Sequence, residues 1–214
     1  LDADLVTSNW RPIALYSGTL TGLDMKYHSV ESPGSDFNLP EPKRLEGSVQ
    51  KNLHSVMNDT IEMGKQMLVF VSSRSSAQKE ARELSGHLKT KLESGDLGFT
   101  EAVVESWTSM SQQLLRGEDG SATVKALSNS VRGGVGFHHA GLTSSQRKVI
   151  ENGFRSGNLQ CIVATPTLAQ GSKLTSESGC CQRYQKMEYN CIEEHAPASN
   201  GGKADDGKGR KAWF

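Results

Sequence analysis

The stretch MLVFVSSR at residues 67–74 decides the fold. Its first five residues are a continuous apolar run of β-forming side chains, which is typical of a strand buried on both faces of a parallel sheet. A short strand is predicted at 135–139, and another strand of the buried type at 159–164. Helical patterns separate the three predicted strands. Alternating strands and helices predict a doubly wound α/β domain, with ligand-binding loops at the carboxyl ends of the strands.

Apolar periodicity predicts the helices around these strands. The regular helical patterns cover residues 48–63, 76–92 and 144–154, and a weaker one covers 100–131 with a break at 117–120. Upstream lie two predicted short strands, at 13–20 and 25–30, and a Pro-, Gly- and Ser-rich connector at 31–44. We therefore expect lead-in strands and a connector at 1–45, a main α/β domain at 46–171 and a tail at 172–214.

The tail differs from the rest of the chain in composition. It is rich in Ser, Gly, Lys and Glu, and it shows no apolar periodicity. A segment of this kind buries too little apolar surface to offset the entropy lost on ordering. We expect the tail to be disordered and to leave an edge of the sheet exposed.

Composition narrows the class of protein. The 24 Lys and Arg balance the 24 Asp and Glu, so net charge gives no support for nucleic-acid binding, although a local basic face can still bind phosphates. No apolar run reaches transmembrane length, and no signal peptide is present. The four Cys do not form the spaced framework of a secreted scaffold. We expect a cytoplasmic protein with no membrane partner.

Three motifs occur in the order found in one family. MLVFVSSR at 67–74 resembles helicase motif IV, VGFHHAGL at 135–142 resembles a motif of the Ski-like branch, and CIVATPTLAQG at 161–171 resembles motif V. WRP at 10–12 is similar to the lead-in between the two motor domains of archaeal repair helicases. Residues 1–171 thus resemble the second RecA-like domain of a superfamily 2 helicase, nearest to the archaeal stalled-fork DNA repair type.

The resemblance implies contacts with the backbone of one nucleic-acid strand. A Thr at the end of a strand can hold a phosphate, and the family's contact in motif V falls on Thr165. Gln170 and Gly171 fall in the part of motif V that faces nucleotide. No catalytic residue and no metal ligand is predicted in this chain. The predicted nucleic-acid contacts are Ser72, Arg74, His139 and Thr165.

Plainer structural roles stay open for these residues. Thr165 is also suited to capping a helix, and Arg74 to being a solvated surface charge. Adjacent side chains on a strand point to opposite faces, so His138 and His139 are more readily structural histidines than a metal pair. One further set has the residue types of a zinc site, but its spacing matches no standard finger. That set is Cys180, Cys181, Cys191 and His195.

The chain lacks the segments that perform ATP chemistry in the family. It contains no GxxxxGK[ST] loop and no DE-x-H motif. Neither a GVNLPA-like segment nor motif VI, QxxGRAGR, follows Gly171. The resemblance implies that the parent enzyme uses ATP and Mg²⁺, whereas no cofactor is expected on this chain alone.

We therefore expect a fragment of an ATP-dependent DNA helicase that translocates on and unwinds DNA in repair or recombination, inactive alone. Its expected partners are single-stranded or forked DNA, with RNA as an alternative, and the first RecA-like motor domain. A non-catalytic α/β module that binds nucleic acid or protein is the second hypothesis. A flavodoxin-like or nucleotide-binding enzyme is disfavoured, because SSRS at 72–75 is not a Gly-rich phosphate loop.

The tail has a testable origin. Residues 171–178 can be back-translated with a free choice of synonymous codons and read one base out of register to give GVNLPARV. Residues 200–213 likewise give MEVKQMMGRAGKPG. These are the missing end of motif V and a near-complete motif VI, in the right order. We therefore hypothesise that the tail is a one-base frameshift product, and a natural low-complexity tail is the alternative.

Overall fold

A computed structural model describes residues 15–31, 38–116, 121–166, 168, 187–191 and 210–213. A short 3-10 turn, Val49–Lys51, precedes the first helix. The elements in chain order are β1 (Leu15–Thr21), β2 (Asp24–Glu31), β3 (Lys43–Arg44), α1 (Asn52–Glu62), β4 (Met67–Phe70), α2 (Arg74–Glu93), α3 (Glu101–Arg116), α4 (Ala122–Val131), β5 (Val135–His138), α5 (Ser144–Arg155), β6 (Cys161–Ala164), β7 (Met187–Cys191) and β8 (Arg210–Trp213).

The three predicted strands of the main domain form a parallel sheet. Strand β6 lies between β4 and β5, and Cys161 pairs with Met67 on one side and with Val135 on the other. Every residue of β5 and β6 is buried, as expected for strands that are covered on both faces. The predicted α/β class, a parallel sheet flanked by helices, is confirmed.

The end of β5 shows which helix covers which face. His139 meets Gln78 of α2, whereas the neighbouring His138 reaches Glu151 of α5. Since adjacent side chains of an extended segment point to opposite faces, α2 and α5 lie on opposite sides of the sheet. The predicted separation of the two histidines is confirmed.

Local capping sets where the helices begin. The Ser73 hydroxyl accepts a hydrogen bond from the Ser76 N–H at 3.0 Å, so α2 begins at Arg74, two residues before the predicted start. Thr143 and Gln146 form a complete capping box at the start of α5. The predicted helical stretch at 100–131 is two helices, α3 and α4, on either side of residues 117–120.

The N-terminal strands form an antiparallel hairpin. Gly22 lies at the turn with a φ of 61°, where glycine carries no steric cost. Gly18 lies within β1, and the register shift between Ser17 and Gly18 forms a bulge there. Strand β3 lies in the predicted connector and pairs with β2. The Lys43 Nζ atom lies 2.6 Å from a carboxylate oxygen of Asp59. This ion pair attaches β3 to α1.

Two strands of the tail join the same sheet, whose order is β3-β2-β1-β7-β8-β4-β6-β5. Strand β7 is parallel to β1, and β8 is antiparallel to both β7 and β4. We predicted no element after Gly171, and the structure differs at these two strands. The edges of β1 and β4 offer backbone N–H and C=O groups that an extended segment can pair with. The rest of the tail lies outside the described residues.

One apolar cluster connects the described elements. It runs from Leu20 and Met25 in the hairpin, through Met57 on α1, to Ile162 and Val163 in β6. These five side chains are all nearly inaccessible to solvent. Within the described parts of the chain, no helix has both the length and the apolar character that a membrane span requires.

Candidate nucleic-acid interface

The loops after β4, β5 and β6 leave the sheet at one edge. The Val71 N–H donates to the Ala164 carbonyl at 2.9 Å, and the Thr165 N–H donates to the His138 carbonyl at 3.1 Å. These two bonds extend the parallel pairing by one residue beyond the ends of β4 and β6. Ser72, His139 and Thr165 therefore lie together at the carboxyl edge, where open α/β sheets bind ligands.

Arg74 stands over the loop that follows β5. It is the first residue of α2 and is exposed. A Cβ atom added to Gly141 would lie 3.5 Å from Nη1 of Arg74, so the guanidinium covers the backbone of that glycine. Arg74 thus adds a positive charge beside the amino end of α2, which carries a partial positive charge of its own.

The two serines between β4 and α2 have different surroundings. Ser73 caps α2, because its hydroxyl accepts from the Ser76 N–H and donates to the Ser76 hydroxyl at 2.8 Å. Ser72 is exposed at the carboxyl edge. Of the two, Ser72 is the one placed to donate a hydroxyl to a phosphate oxygen.

Thr165 is more enclosed than the sequence indicated. Only 7% of the residue is exposed, and its own N–H is bonded to His138. Its carbonyl accepts from the Leu168 N–H at 3.1 Å, so the chain turns directly after β6. The N–H of Thr165 is therefore not available to a phosphate oxygen. Gln170 and Gly171 lie outside the described residues.

His139 uses both of its ring nitrogens inside the protein. Nδ1 accepts from the Gly141 N–H at 3.1 Å, and the Gln78 amide lies 3.1 Å from Nε2. The ring stacks on Phe137, with centroids 5.4 Å apart. Burial, and then the charge of Arg74, lower the pKa of His139, so the ring is neutral near pH 7. A direct contact with nucleic acid requires these bonds to break.

His138 connects β5 to α5. Its Nε2 lies 2.9 Å from a carboxylate oxygen of Glu151, and its side chain is 5% exposed. Burial lowers the pKa of His138, while the hydrogen bond and charge of Glu151 act in the opposite direction. Among the described residues, Nδ1 of His138 has no hydrogen-bond partner. The His138–Glu151 contact therefore joins β5 to α5 on the face of the sheet opposite to Arg74 and Gln78.

Gln78 is the residue that the motifs did not reveal. It lies one helical turn after Arg74, and residues four apart on a helix share a face. That spacing was visible in the sequence. Its bonding partner was not, because His139 is 61 positions further along the chain.

The described residues do not fit ATP and Mg²⁺. The loop from β4 to α2 has no glycine, and the Ser73 side chain occupies an amide at the start of α2. The described loops at this edge, 71–73, 139–143 and 165–166, contain no Asp or Glu. In the part of the chain that the structure describes, no group of three or more His, Cys, Asp and Glu residues is placed to hold a metal ion. Of the residues considered for zinc, only Cys191, in β7, belongs to that part.

No protein-family model matches the chain, but individual proteins do. It is 31% identical over 190 residues to the ATP-dependent DNA helicase Hel308 of Methanocella arvoryzae, a match that covers 89% of this chain and 23% of that protein. It is 34% identical over 171 residues to Hel308 of Thermococcus kodakarensis, covering 78% of this chain and 13% of that protein. The chain is a relative of the Hel308 helicases. The Hel308 of Caldivirga maquilingensis is 35% identical over 201 residues, covering 90% of this chain and 24% of that protein.

These comparisons confirm the resemblance to archaeal DNA repair helicases. The chain spans about a quarter or less of the length of these Hel308 relatives. A match over 190 residues is longer than 1–171, so it includes part of the tail in the reading frame given. The frameshift hypothesis stays a prediction that the gene sequence can test.

Proposed function

We propose that this chain is the strand-gripping part of a Hel308-like ATP-dependent DNA helicase. It binds the sugar-phosphate backbone of single-stranded or forked DNA along the loops after β4, β5 and β6. The observation that carries the proposal is the pair of hydrogen bonds that join Val71 to Ala164 and Thr165 to His138. They bring Ser72, Arg74 and Thr165 to one edge of one parallel sheet. The names of the relatives supply DNA as the substrate.

The chemistry of this edge suits phosphate. The Arg74 guanidinium can donate charge-assisted hydrogen bonds to phosphate oxygens, and the Ser72 hydroxyl adds a neutral donor. The amino end of α2 favours an anion at the same place. The described parts of these loops, 71–73, 139–143 and 165–166, carry no carboxylate that would repel one. Since these groups address the backbone and not the bases, we expect binding that is salt-sensitive and independent of sequence.

ATP hydrolysis, translocation and unwinding belong, in this proposal, to the complete protein. ATP and Mg²⁺ would be held by a first RecA-like domain, which this chain does not contain. No step of hydrolysis is assigned to the described residues, because the loop from β4 to α2 has no glycine and the described loops at this edge have no carboxylate. We expect the isolated chain to bind single strands weakly and to show no strand-stimulated ATPase.

The binding test compares Arg74→Ala with Arg82→Ala. Arg82 is a second exposed arginine, two turns further along α2, and serves as the matched control. With a labelled oligodeoxythymidine at low salt, we expect Arg74→Ala to weaken binding. We also expect it to lower the slope of log affinity against log salt by roughly 0.7, the value for one lost single-strand phosphate contact. Arg82→Ala should match the wild type.

Two results would change the proposal. Equal loss in both variants would show that the attraction comes from general positive charge and not from this edge. Tighter binding of oligouridine than of oligodeoxyuridine would reassign the substrate to RNA, since these two strands differ only in the 2′-hydroxyl.

A further inference from the structure

The loop after β5 is shaped by a side chain that imitates a common turn. The His139 Nδ1 accepts from the N–H two residues later, that of Gly141. Asn and Asp make the same bond to the residue two positions ahead in an Asx-turn. We propose that His139 and Gln78 are positioning residues, which fix this loop beneath Arg74 without touching nucleic acid. The inference rests on the proposed function, because it deepens the role of the same edge.

The first step is the protonation state of His139. A ring nitrogen that accepts a hydrogen bond must carry a lone pair, so Nδ1 is unprotonated and the single ring hydrogen of the neutral form lies on Nε2. Nε2 is then a donor and needs an acceptor. The atom of Gln78 that lies 3.1 Å away is its amide nitrogen; the oxygen and nitrogen of an amide are assigned from the hydrogen-bond network, and the turned amide places its oxygen there as the acceptor. In that orientation Gln78 selects the tautomer that the Gly141 bond requires.

The second step is the rigidity of the ring. His139 is 2% exposed and stacks on Phe137 with an interplanar angle of 16°. With one face covered and both nitrogens engaged, the ring has no alternative hydrogen-bonding arrangement that keeps all of its partners. The loop between β5 and α5 is therefore held at its start by Gln78 of α2.

The third step connects the loop to the phosphate-binding cation. A Cβ on Gly141 would lie 3.1 Å from Nδ1 of His139 and 3.5 Å from Nη1 of Arg74. The side of Gly141 on which a Cβ would stand therefore faces both the ring that holds the glycine and the guanidinium above it, although the residue itself is exposed. If the Gly141 bond is lost, the surface on which Arg74 rests shifts. The distance at which Arg74 meets a phosphate then shifts as well.

The charges around the ring agree with a positioning role. Arg74 from α2 is the cation that faces His139, and the adjacent His138 acts on it weakly in the same direction. Gln78 from the same helix and Phe137 from the strand are neutral. A neutral His139 avoids repulsion with Arg74, so the cation at this edge belongs to Arg74.

The test uses four variants of the whole chain. His139→Asn keeps an oxygen that can accept from the Gly141 N–H, His139→Leu removes both bonds, and Gln78→Leu removes only the partner of Nε2. Gln112→Leu, on the exposed side of α3, is the control for the same substitution elsewhere. Affinity for labelled oligodeoxythymidine is measured over a range of salt, and thermal unfolding is followed for each protein.

We expect Gln78→Leu to weaken binding by about fivefold, the equivalent of one ordinary hydrogen bond, and His139→Leu by about tenfold or more. His139→Asn should stay within about twofold of the wild type, because it restores the turn. The salt slope should be unchanged in all of them, since no phosphate contact is lost. Both His139 variants should unfold at a lower temperature than the wild type. Near wild-type binding by His139→Asn, despite its lower stability, would therefore separate a positioning role from a general effect on stability.

The outcomes distinguish this inference from the proposed function. If His139→Asn binds as weakly as His139→Leu, or if Gln78→Leu binds like the control, the positioning role is wrong while the edge remains a binding site. If His139→Leu does not fold, the affinities of Gln78→Leu and His139→Asn for the oligonucleotide still test the positioning role. If the wild-type chain does not bind single strands at all, the proposed function fails and this inference fails with it.

Discussion

At the scale of single residues, Gly134 occupies a place that no other residue fits. Its φ is 73°, in the left-handed region that side chains disfavour. A Cβ there would lie 2.6 Å from the Trp107 ring. That ring is buried, and its Nε1 donates to the Asn158 carbonyl at 2.7 Å, so it cannot easily move away.

Gly134→Ala should therefore destabilise the chain. A left-handed conformation costs about 1 kcal/mol for a residue with a side chain, and overpacking adds roughly 1–3 kcal/mol, so we expect about 2–4 kcal/mol in all. Urea unfolding followed by Trp fluorescence measures it. Gly86→Ala is the matched control, because nothing lies within 4 Å of its Cβ position on α2. It should stabilise by about 0.5–1 kcal/mol. Equal effects at the two sites would contradict this packing argument.

Residue-level predictions from the sequence succeeded where position along a strand was sufficient. Ser72 and Thr165 follow β4 and β6, so their place at one edge could be predicted from the apolar runs alone. The engagement of the His139 ring could not, because it depends on Gln78 from a distant helix. The enclosure of Thr165 likewise depends on pairing with His138, which belongs to another strand.

At the scale of elements, α1 and α2 meet through a pair of stacked histidines. The His54 and His87 rings have centroids 4.3 Å apart, and Nε2 of His87 lies 2.7 Å from the Asn58 Oδ1. Burial, followed by the neighbouring His54 and then Lys91 and Lys51, lowers the pKa of His87 from 6.5 to about 4. The pKa of His54 is lowered as well, by burial and by Lys51, although Glu83 opposes this.

This contact should make stability fall in acid. The folded chain disfavours the protonated His87 ring, so acid protonates the unfolded chain first. Stability is complete above about pH 6.5, the unfolded value, and falls as the pH approaches 4. His87→Gln keeps a donor for Asn58 but does not titrate.

Melting temperatures measured from pH 7 down to about 4 should fall less steeply in His87→Gln than in the wild type. Some slope should remain, because burial also lowers the pKa values of His138 and His139. An identical pH dependence in the two proteins would mean that the stacked pair contributes nothing to acid sensitivity.

Helix starts have local causes, but only that of α5 was predicted at the residue observed, and α2 begins two residues before its predicted start. Ser73 and Thr143 cap α2 and α5, and both caps follow from residue types at fixed spacing. Strand β3 was missed because two residues carry no periodicity. Its existence depends on pairing with β2 and on the ion pair to Asp59, which is 16 positions away.

At the scale of the whole molecule, the parallel core and the rest of the sheet differ in predictability. Strands β4, β5 and β6 could be predicted from short segments of the sequence that are suited to burial. Their parallel topology follows from the helices between them. The positions of β7 and β8 do not follow from the tail's composition. They depend on the backbone groups that β1 and β4 offer at their edges.

The origin of the tail makes a prediction about the gene. If the tail is a frameshift product, the coding sequence read one base out of register after codon 171 should encode a GVNLPA-like segment and later a GRAG segment. Sequencing the locus with independent primers decides this. A shifted register with neither segment would leave the tail as a natural extension, and the strand-binding edge at Ser72 and Arg74 would be unaffected.

The central claim is that three loops at one sheet edge grip a single strand, and amide hydrogen exchange tests it most directly. The whole chain is compared with and without a saturating oligodeoxythymidine. We expect slower exchange in the loops after β4, β5 and β6, and unchanged exchange in the groove between α3 and α5, around Gln113 and Asn152. Slowing confined to that groove, with none at the three loops, would contradict it.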